Sequence, residues 1–211
     1  MQQHTGNSPR TLSQKLVLAA LLACLLLAAG YALVVLGGSV PMEESGGAVG
    51  TTVVGIDVSG SALARKEDLM RLARREIQNV QEGTLEIHRF DRKAQELYSG
   101  EPLLDPERLT KHLRSWFEEA AGGLGTSLPA FLQRVDQRLA TLEKPVRIVV
   151  VSDCGMELTT PQERSAALAL TRRWSEQGQV AEIAVYGLSA GQREAIRASI
   201  DPRLLRIRDD L

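Results

Sequence analysis

Apolar and polar residues follow one another in short blocks along most of the chain, and the lengths of these blocks predict its elements. Residues 52–56 and 146–151 are β-branched apolar runs of the length expected for buried strands. Apolar residues recur at helical spacing in 62–80, 109–120 and 128–142. Strands that alternate with helices predict an α/β fold, a doubly wound and mostly parallel sheet with helices on both faces.

The first apolar run along the chain differs from the others in its length. Residues 16–36 carry no charge, and at helical rise they span about 30 Å, the thickness of the hydrocarbon core of a bilayer. They predict a single-pass transmembrane helix. The chain then divides into a short N-terminus (1–15), the transmembrane helix (16–38), a flexible Gly/Ser-rich linker (39–50) and one folded domain (51–211).

The charges on either side of this run predict its orientation. Arg10 and Lys15 precede it, whereas Glu43 and Glu44 follow it. By the positive-inside rule the N-terminus is cytoplasmic, and the domain lies on the outer or periplasmic side of the plasma (inner) membrane. A cleaved signal peptide is one alternative, although its apolar core is usually shorter. Lipid attachment at Cys24 is another, but only a short apolar stretch precedes that residue.

The charge and cysteine content of the chain exclude some classes of function. The formal net charge is -1 and the sequence contains no dense Lys/Arg run, so no nucleic-acid partner is expected. The two cysteines are Cys24, in the predicted membrane helix, and Cys154, in the domain. A disulfide within the domain is therefore excluded.

Polar side chains follow two of the predicted strands and also a glycine cluster. Asp57, Ser59 and Ser61 come directly after the first strand, and Asp153 follows the run 146–151. Thr126 ends a glycine-rich stretch before a helix. Because the carboxyl ends of parallel strands meet at one edge of a sheet, we expect these loops to converge. Two carboxylates and three hydroxyls suit a hard divalent cation.

Each of these candidate ligands also has an explanation that involves no metal ion. Ser59 and Thr126 precede helices, where hydroxyl side chains are common N-caps. Asp153 follows a strand, where aspartate is a frequent turn residue. The three loops in this order favour the metal site over these separate explanations.

The pattern Asp57-x-Ser59-x-Ser61, followed by Thr126 after glycines and Asp153 at a strand end, resembles the metal-ion-dependent adhesion site of von Willebrand factor type A (VWA) domains. The resemblance covers residues 53 to the C-terminus. It implies that Ser59 and Ser61 ligate Mg²⁺ directly, and that Thr126, Asp57 and Asp153 do so directly or through water. Mn²⁺ and Ca²⁺ are alternative ions. One coordination position is left for a carboxylate of a partner.

Two residues depart from the family pattern without removing an oxygen ligand. Leu124 interrupts the glycine run, and Cys154 separates Asp153 from Gly155. Both are expected to alter the shape of the loops around the ion. Cys154 is interpreted as a partly buried loop thiol, with a redox or nucleophilic role as the alternative.

The predicted function is a membrane-anchored, divalent-metal-dependent module that captures an acidic residue of a protein partner. No small-molecule substrate and no catalytic residue are expected. One alternative is a structural scaffold of a membrane complex in which the metal only stabilises loops. A Mg²⁺-dependent hydrolase is the other, and it is disfavoured because Ser59 stands where an aspartate-nucleophile enzyme needs a second acid.

Overall fold

The computed structural model describes residues 50–120, 125–153 and 159–208. The predicted transmembrane helix (16–38), nearly all of the linker (39–50), Leu124 and Cys154 lie outside the described residues. Within the described ranges, no helix has both the length and the apolar character needed to cross a membrane.

Strands and helices alternate through most of the described chain. The strands are β1 (Thr51–Asp57), β2 (Thr84–Phe90), β3 (Ala94–Gly100), β4 (Val146–Val151), β5 (Val180–Tyr186) and β6 (Leu205–Arg208). The α-helices are α1 (Gly60–Ala64), α2 (Lys66–Gln78), α3 (Pro106–Glu118), α4 (Leu128–Arg138), α5 (Pro161–Glu176) and α6 (Arg193–Arg197), the last preceded by a 3₁₀ turn, Ala190–Gln192.

The strands form one six-stranded sheet in the order β3-β2-β1-β4-β5-β6. Only the edge strand β3 is antiparallel to its neighbour. The predicted doubly wound, mostly parallel sheet is thereby confirmed. β1 lies between β2 and β4, with Asp57 opposite Phe90 and Ile56 opposite Val151. The carboxyl ends of these three strands therefore lie side by side.

Helices cover both faces of the sheet because successive strand residues point in opposite directions. On β1, Val54 and Ile56 join the core formed with α2 and α3. Val53 joins the core formed with α4, α5 and α6. A strand buried on both faces must be apolar along its length, which explains the β-branched run of β1.

Gly55 provides the close contact between β1 and α4. A Cβ atom at this position would lie 2.6–2.8 Å from three ring atoms of Phe131. The Phe131 ring is fully buried and stacks on Phe90 with 5.1 Å between the ring centroids. The missing side chain of Gly55 therefore allows α4 to pack directly against the centre of the sheet.

The helix predicted over 62–80 is interrupted. α1 ends and α2 begins at Arg65, whose φ and ψ of -115° and 22° are not helical. The Arg65 guanidinium donates to the carbonyl of Gly187, beyond the end of β5, at 2.8 Å. Gly187 has a φ of 89°, and a Cβ there would lie 2.8 Å from the Ser152 carbonyl oxygen. The spacing of apolar residues along the helix does not reveal this contact, because it joins distant parts of the chain.

Candidate metal centre

Asp57, at the end of β1, lies at the centre of the site. Its side chain is fully buried, but both carboxylate oxygens have hydrogen-bond donors. Oδ1 accepts the backbone N–H of Ser59 at 2.8 Å. Oδ2 accepts the hydroxyl of Thr126 at 3.1 Å and that of Ser152 at 2.5 Å. The loop after β1, the loop before α4 and the end of β4 therefore meet at one carboxylate.

Three predicted hydroxyl groups lie beside one another here. Ser59 Oγ is 2.8 Å from Thr126 Oγ1 and 3.3 Å from Ser61 Oγ. Ser59 and Thr126 are buried, whereas Ser61 is exposed. Ser61 therefore lies on the solvent side of the cluster, where an ion or a partner group would approach.

Helix capping accounts for some of these side chains but not for all. Ser59 Oγ accepts the N–H of Ala62 at 3.4 Å and caps α1. The cap of α4 is Ser127, which accepts the N–H of Ala130 at 3.2 Å. Thr126 is not the cap of α4, because its hydroxyl contacts Ser59 and Asp57 instead. Capping therefore leaves the position of Thr126 unexplained, whereas a shared oxygen cluster explains it.

Asp153 follows β4 and is buried, with 7% of its surface exposed. Burial raises the pKa of the Asp57 carboxyl above its ordinary value, and hydrogen bonds from Ser152 and Ser59 oppose that rise. The negative charge of Asp153 raises the same pKa further, which places the two carboxyl groups within electrostatic reach of each other. The five predicted side chains thus lie at one edge of the sheet.

Ser152 also belongs to this cluster, although it was not among the residues predicted from the sequence. Its hydroxyl donates to Asp57, and its N–H donates to the Tyr186 carbonyl of β5 at 3.1 Å. The available signal was a hydroxyl residue at the last buried position before Asp153. Ser152 therefore helps to orient the Asp57 carboxylate.

The oxygen spacing can be compared with the coordination that Mg²⁺ requires. Octahedral Mg²⁺ binds oxygens at 2.0–2.1 Å, so neighbouring ligands lie about 2.9 Å apart. The separations of Ser59 Oγ from Thr126 Oγ1 and from Ser61 Oγ, 2.8 Å and 3.3 Å, lie on either side of this value. Two carboxylates and neutral hydroxyls are also the ligand types that Mg²⁺ prefers. The residues present fit a hard divalent ion.

The comparisons with known proteins concern the fold. No protein-family model matches the sequence, and no curated protein matches it significantly. Among solved structures, a von Willebrand factor type A protein from Catenulispora acidiphila superposes with a TM-score of 0.54 at 14% identity, covering 77% of this chain and 39% of that one. Proximal thread matrix protein 1 from the mussel byssus gives a TM-score of 0.54 at 10% identity, covering 77% and 44%.

The chain has a von Willebrand factor type A fold. BatB from Bacteroides thetaiotaomicron is also similar, with a TM-score of 0.47 at 18% identity and coverage of 64% of each chain. A further structure of the mussel protein, with a TM-score of 0.48, has a zinc-occupied MIDAS motif. The chain spans between 39% and 64% of the length of these relatives. At such identities the likeness shows the fold alone.

A second group of metal-ligating side chains lies within the VWA fold, below α4. Ligand atoms of Glu86, His88 and Glu96 lie within 4.8 Å of one another. A cation is already present, because Arg138 donates to Glu86 Oε1 at 2.6 Å and its Nε lies 3.9 Å from Glu96. His88 is fully buried, its Nε2 is 3.3 Å from Glu86, and its Nδ1 has no described partner. A metal on Nε2 would leave a buried Nδ1–H unpaired, so this group is interpreted as a structural ion network.

This network controls the charge of Glu86. Burial alone would raise the pKa of the Glu86 carboxyl, but hydrogen bonds from His88 and Arg138 outweigh burial and hold the pKa below its usual value. A depressed carboxyl pKa contributes stability above the unfolded-state pKa, and the contribution disappears as the pH falls through the folded-state pKa. The network therefore stabilises the VWA fold at neutral pH and not in acid.

Replacing Arg138 with methionine is expected to lower the free energy of unfolding by about 2 kcal/mol at pH 7, because Glu86 stays buried without its cation. The loss should shrink at an acid pH below the lowered folded-state pKa of Glu86, where the carboxyl is protonated and needs no cation. Urea denaturation followed by circular dichroism at both pH values measures the difference. The double variant E86Q/R138M should recover part of the loss at pH 7. An equal loss at both pH values would mean that Arg138 acts through packing rather than charge.

Proposed function

We propose that the chain is a membrane-anchored module that binds a protein partner through a divalent metal ion, most simply Mg²⁺, held by Asp57, Ser59, Ser61, Thr126 and Asp153. The observation that carries the proposal is the convergence of three loops on one buried carboxylate beside adjoining hydroxyls. The partner would contribute an acidic side chain. No bond would be made or broken.

The chain's own residues account for this preference for an acidic partner. Three of the five proposed ligands are neutral hydroxyl residues: Ser59, Ser61 and Thr126. The other two, Asp57 and Asp153, are carboxylates. When bound, the metal would offer an open coordination position to an incoming oxygen. Ser152 donates to the Asp57 carboxylate and helps to hold it in place. Ser61, on the exposed side, leaves room for a carboxylate from outside.

The alternatives lack supporting contacts among the described residues. A hydrolase with Asp57 as nucleophile is disfavoured because Ser59 stands where such an enzyme needs a second acid. The two described histidines also lie elsewhere, since His88 contacts Glu86 and His112 stacks on Trp116. A scaffold in which metal only stiffens loops is disfavoured as well, because hydrogen bonds already join the three loops at Asp57.

The proposal of a membrane anchor is supported by the sequence. The uncharged run 16–36 and the basic residues before it support a single-pass helix with a cytoplasmic N-terminus. The linker that follows would hold the binding domain close to the outer face of the plasma membrane. The partner would then be another envelope or surface protein.

Selection of ligands from a random peptide library tests the proposal directly. The full-length chain, immobilised in mild detergent, is exposed to the library in Mg²⁺, and bound peptides are released with EDTA. We expect the released peptides to share a required Asp or Glu, and replacement of that residue by Asn or Gln to abolish binding.

The matched control is the same selection on a chain with Ser59→Ala, which should release no such peptides with EDTA. Peptides that bind equally well in EDTA, or that need no acidic residue, would falsify metal-dependent capture. They would instead favour the scaffold.

A further inference from the structure

A groove follows the seam between α2 and α3. Two adjoining cavities of about 400 and 200 Å³ share Arg74, Thr110 and Arg114 as lining residues. Met70 and Leu113 add apolar surface, and Leu113 is almost fully buried beneath the opening. The groove thus joins an apolar floor to polar walls, a combination suited to a peptide chain.

The walls of this α2–α3 groove are strongly basic. Arg71 and Arg74 from α2 face Lys111 and Arg114 from α3, and all four side chains are exposed. Within the described chain, Arg71 pairs with Asp68 at 2.8 Å, while the other three form no ion pair. Each pair of cations is three residues apart on one helix, an arrangement of like charges that destabilises the isolated helix.

Some arginines elsewhere in the described domain are used differently. Several form close ion pairs with carboxylates: Arg138 with Glu86, Arg147 with Glu182, Arg173 with Asp136 and Arg203 with Asp201. The groove also has two acidic lining residues, Glu67 and Glu107, and Arg71 pairs with Asp68, so four cations stand against three carboxylates. The groove therefore keeps an excess of positive charge that the domain itself does not neutralise.

We propose that the α2–α3 groove binds an acidic segment of a protein partner, without a metal ion. Guanidinium groups form paired hydrogen bonds with carboxylates, so Arg71, Arg74 and Arg114 match Glu or Asp side chains of the segment. The apolar floor formed by Met70 and Leu113 accepts one apolar side chain between them. A concave groove of this shape fits a peptide better than it fits the flat surface of a bilayer.

A fluorescence anisotropy titration tests this site apart from the metal centre. The probe is a fluorescein-labelled peptide of about ten residues that contains Glu, Asp and one Leu. The full-length chain in mild detergent is titrated in EDTA at low salt, where screening is weak. We expect saturable binding that R74E/R114E weakens at least about tenfold. The variant R74Q/R114Q, which adds no negative charge, should weaken it less.

The matched control is K144E/R197E, which changes the net charge by the same amount at exposed positions outside the groove. It should bind within about twofold of the original chain. An equal loss in this control would show that only net charge matters, and would overturn the proposal. So would binding that EDTA abolishes, or binding of short-chain phosphatidylglycerol without binding of the peptide. Because the titration contains no metal, its failure leaves the metal-dependent function standing.

Discussion

Replacing Asp153 with alanine is expected to abolish Mg²⁺ and Mn²⁺ binding while the chain stays folded. Asp153 supplies one of the two carboxylates of the proposed site, and it lies beyond the end of β4 rather than within the core. Removal of a ligand should weaken affinity by more than about a hundredfold, the upper range for groups that only support ligands. Isothermal titration calorimetry of both ions into the full-length chain measures the loss, and far-UV circular dichroism checks the fold.

Asp91 provides the matched control for this experiment. It follows β2 at the same edge of the sheet, and its carboxylate accepts the N–H of Lys93 at 2.9 Å. Asp91→Ala therefore removes an equal charge without removing a proposed ligand, and should leave metal affinity nearly unchanged. If Asp153→Ala binds the ions as tightly as the original chain, the assignment is wrong. Equal losses in both variants would indicate diffuse attraction rather than a site.

Replacing Phe131 with alanine is expected to lower the free energy of unfolding by about 3–5 kcal/mol. The ring is fully buried, stacks on Phe90 and fills the space above Gly55. Its loss leaves a cavity between α4 and the centre of the sheet. Urea denaturation at neutral pH gives the value, and Leu104→Ala is the surface control because Leu104 is 55% exposed.

A double-mutant cycle makes this prediction specific to the contact with Gly55. Gly55→Ala alone should be strongly destabilising, since its Cβ would lie 2.6 Å from the Phe131 ring. In the G55A/F131A variant the added methyl group occupies the vacated space. The two losses should therefore combine to less than their sum by about 1 kcal/mol or more. Additive losses would mean that the close approach is not what makes Gly55 necessary.

The sequence was most informative where burial is complete. β1 and β4 are apolar along their length because helices cover both faces, and this composition predicted their place in the sheet. The ends of these strands then located Asp57 and Asp153. Cap residues carry equally direct local information, since Thr160 and Glu163 form a capping box at the start of α5.

The polar interior was harder to foresee. Glu86 and His88 alternate with apolar residues in β2, a pattern that also describes a strand with one face in water. Both are buried, because α4 brings Arg138 over that face. A single strand carries no information about which helix covers it. The break at Arg65, whose guanidinium contacts the distant Gly187 carbonyl, was likewise not predicted.

Several predictions from the sequence stay predictions. The transmembrane helix 16–38 and the shapes of the loops around Leu124 and Cys154 fall outside the described residues. The metal ligands are likewise a proposal that rests on geometry. What the described chain adds is the hydrogen bond from Ser152 to Asp57 and the exposure of Ser61 to solvent.

Hydrogen bonds from Ser59, Thr126 and Ser152 already fix the Asp57 carboxylate. An arriving cation thus meets oxygens whose order was established during folding, and the entropic penalty of arranging them does not reduce its affinity. Loading and release would then follow the local ion concentration rapidly, without a refolding step. If the proposed function is correct, a binding module built in this way would stay folded in surroundings depleted of divalent ions and would bind its partner again as soon as they return.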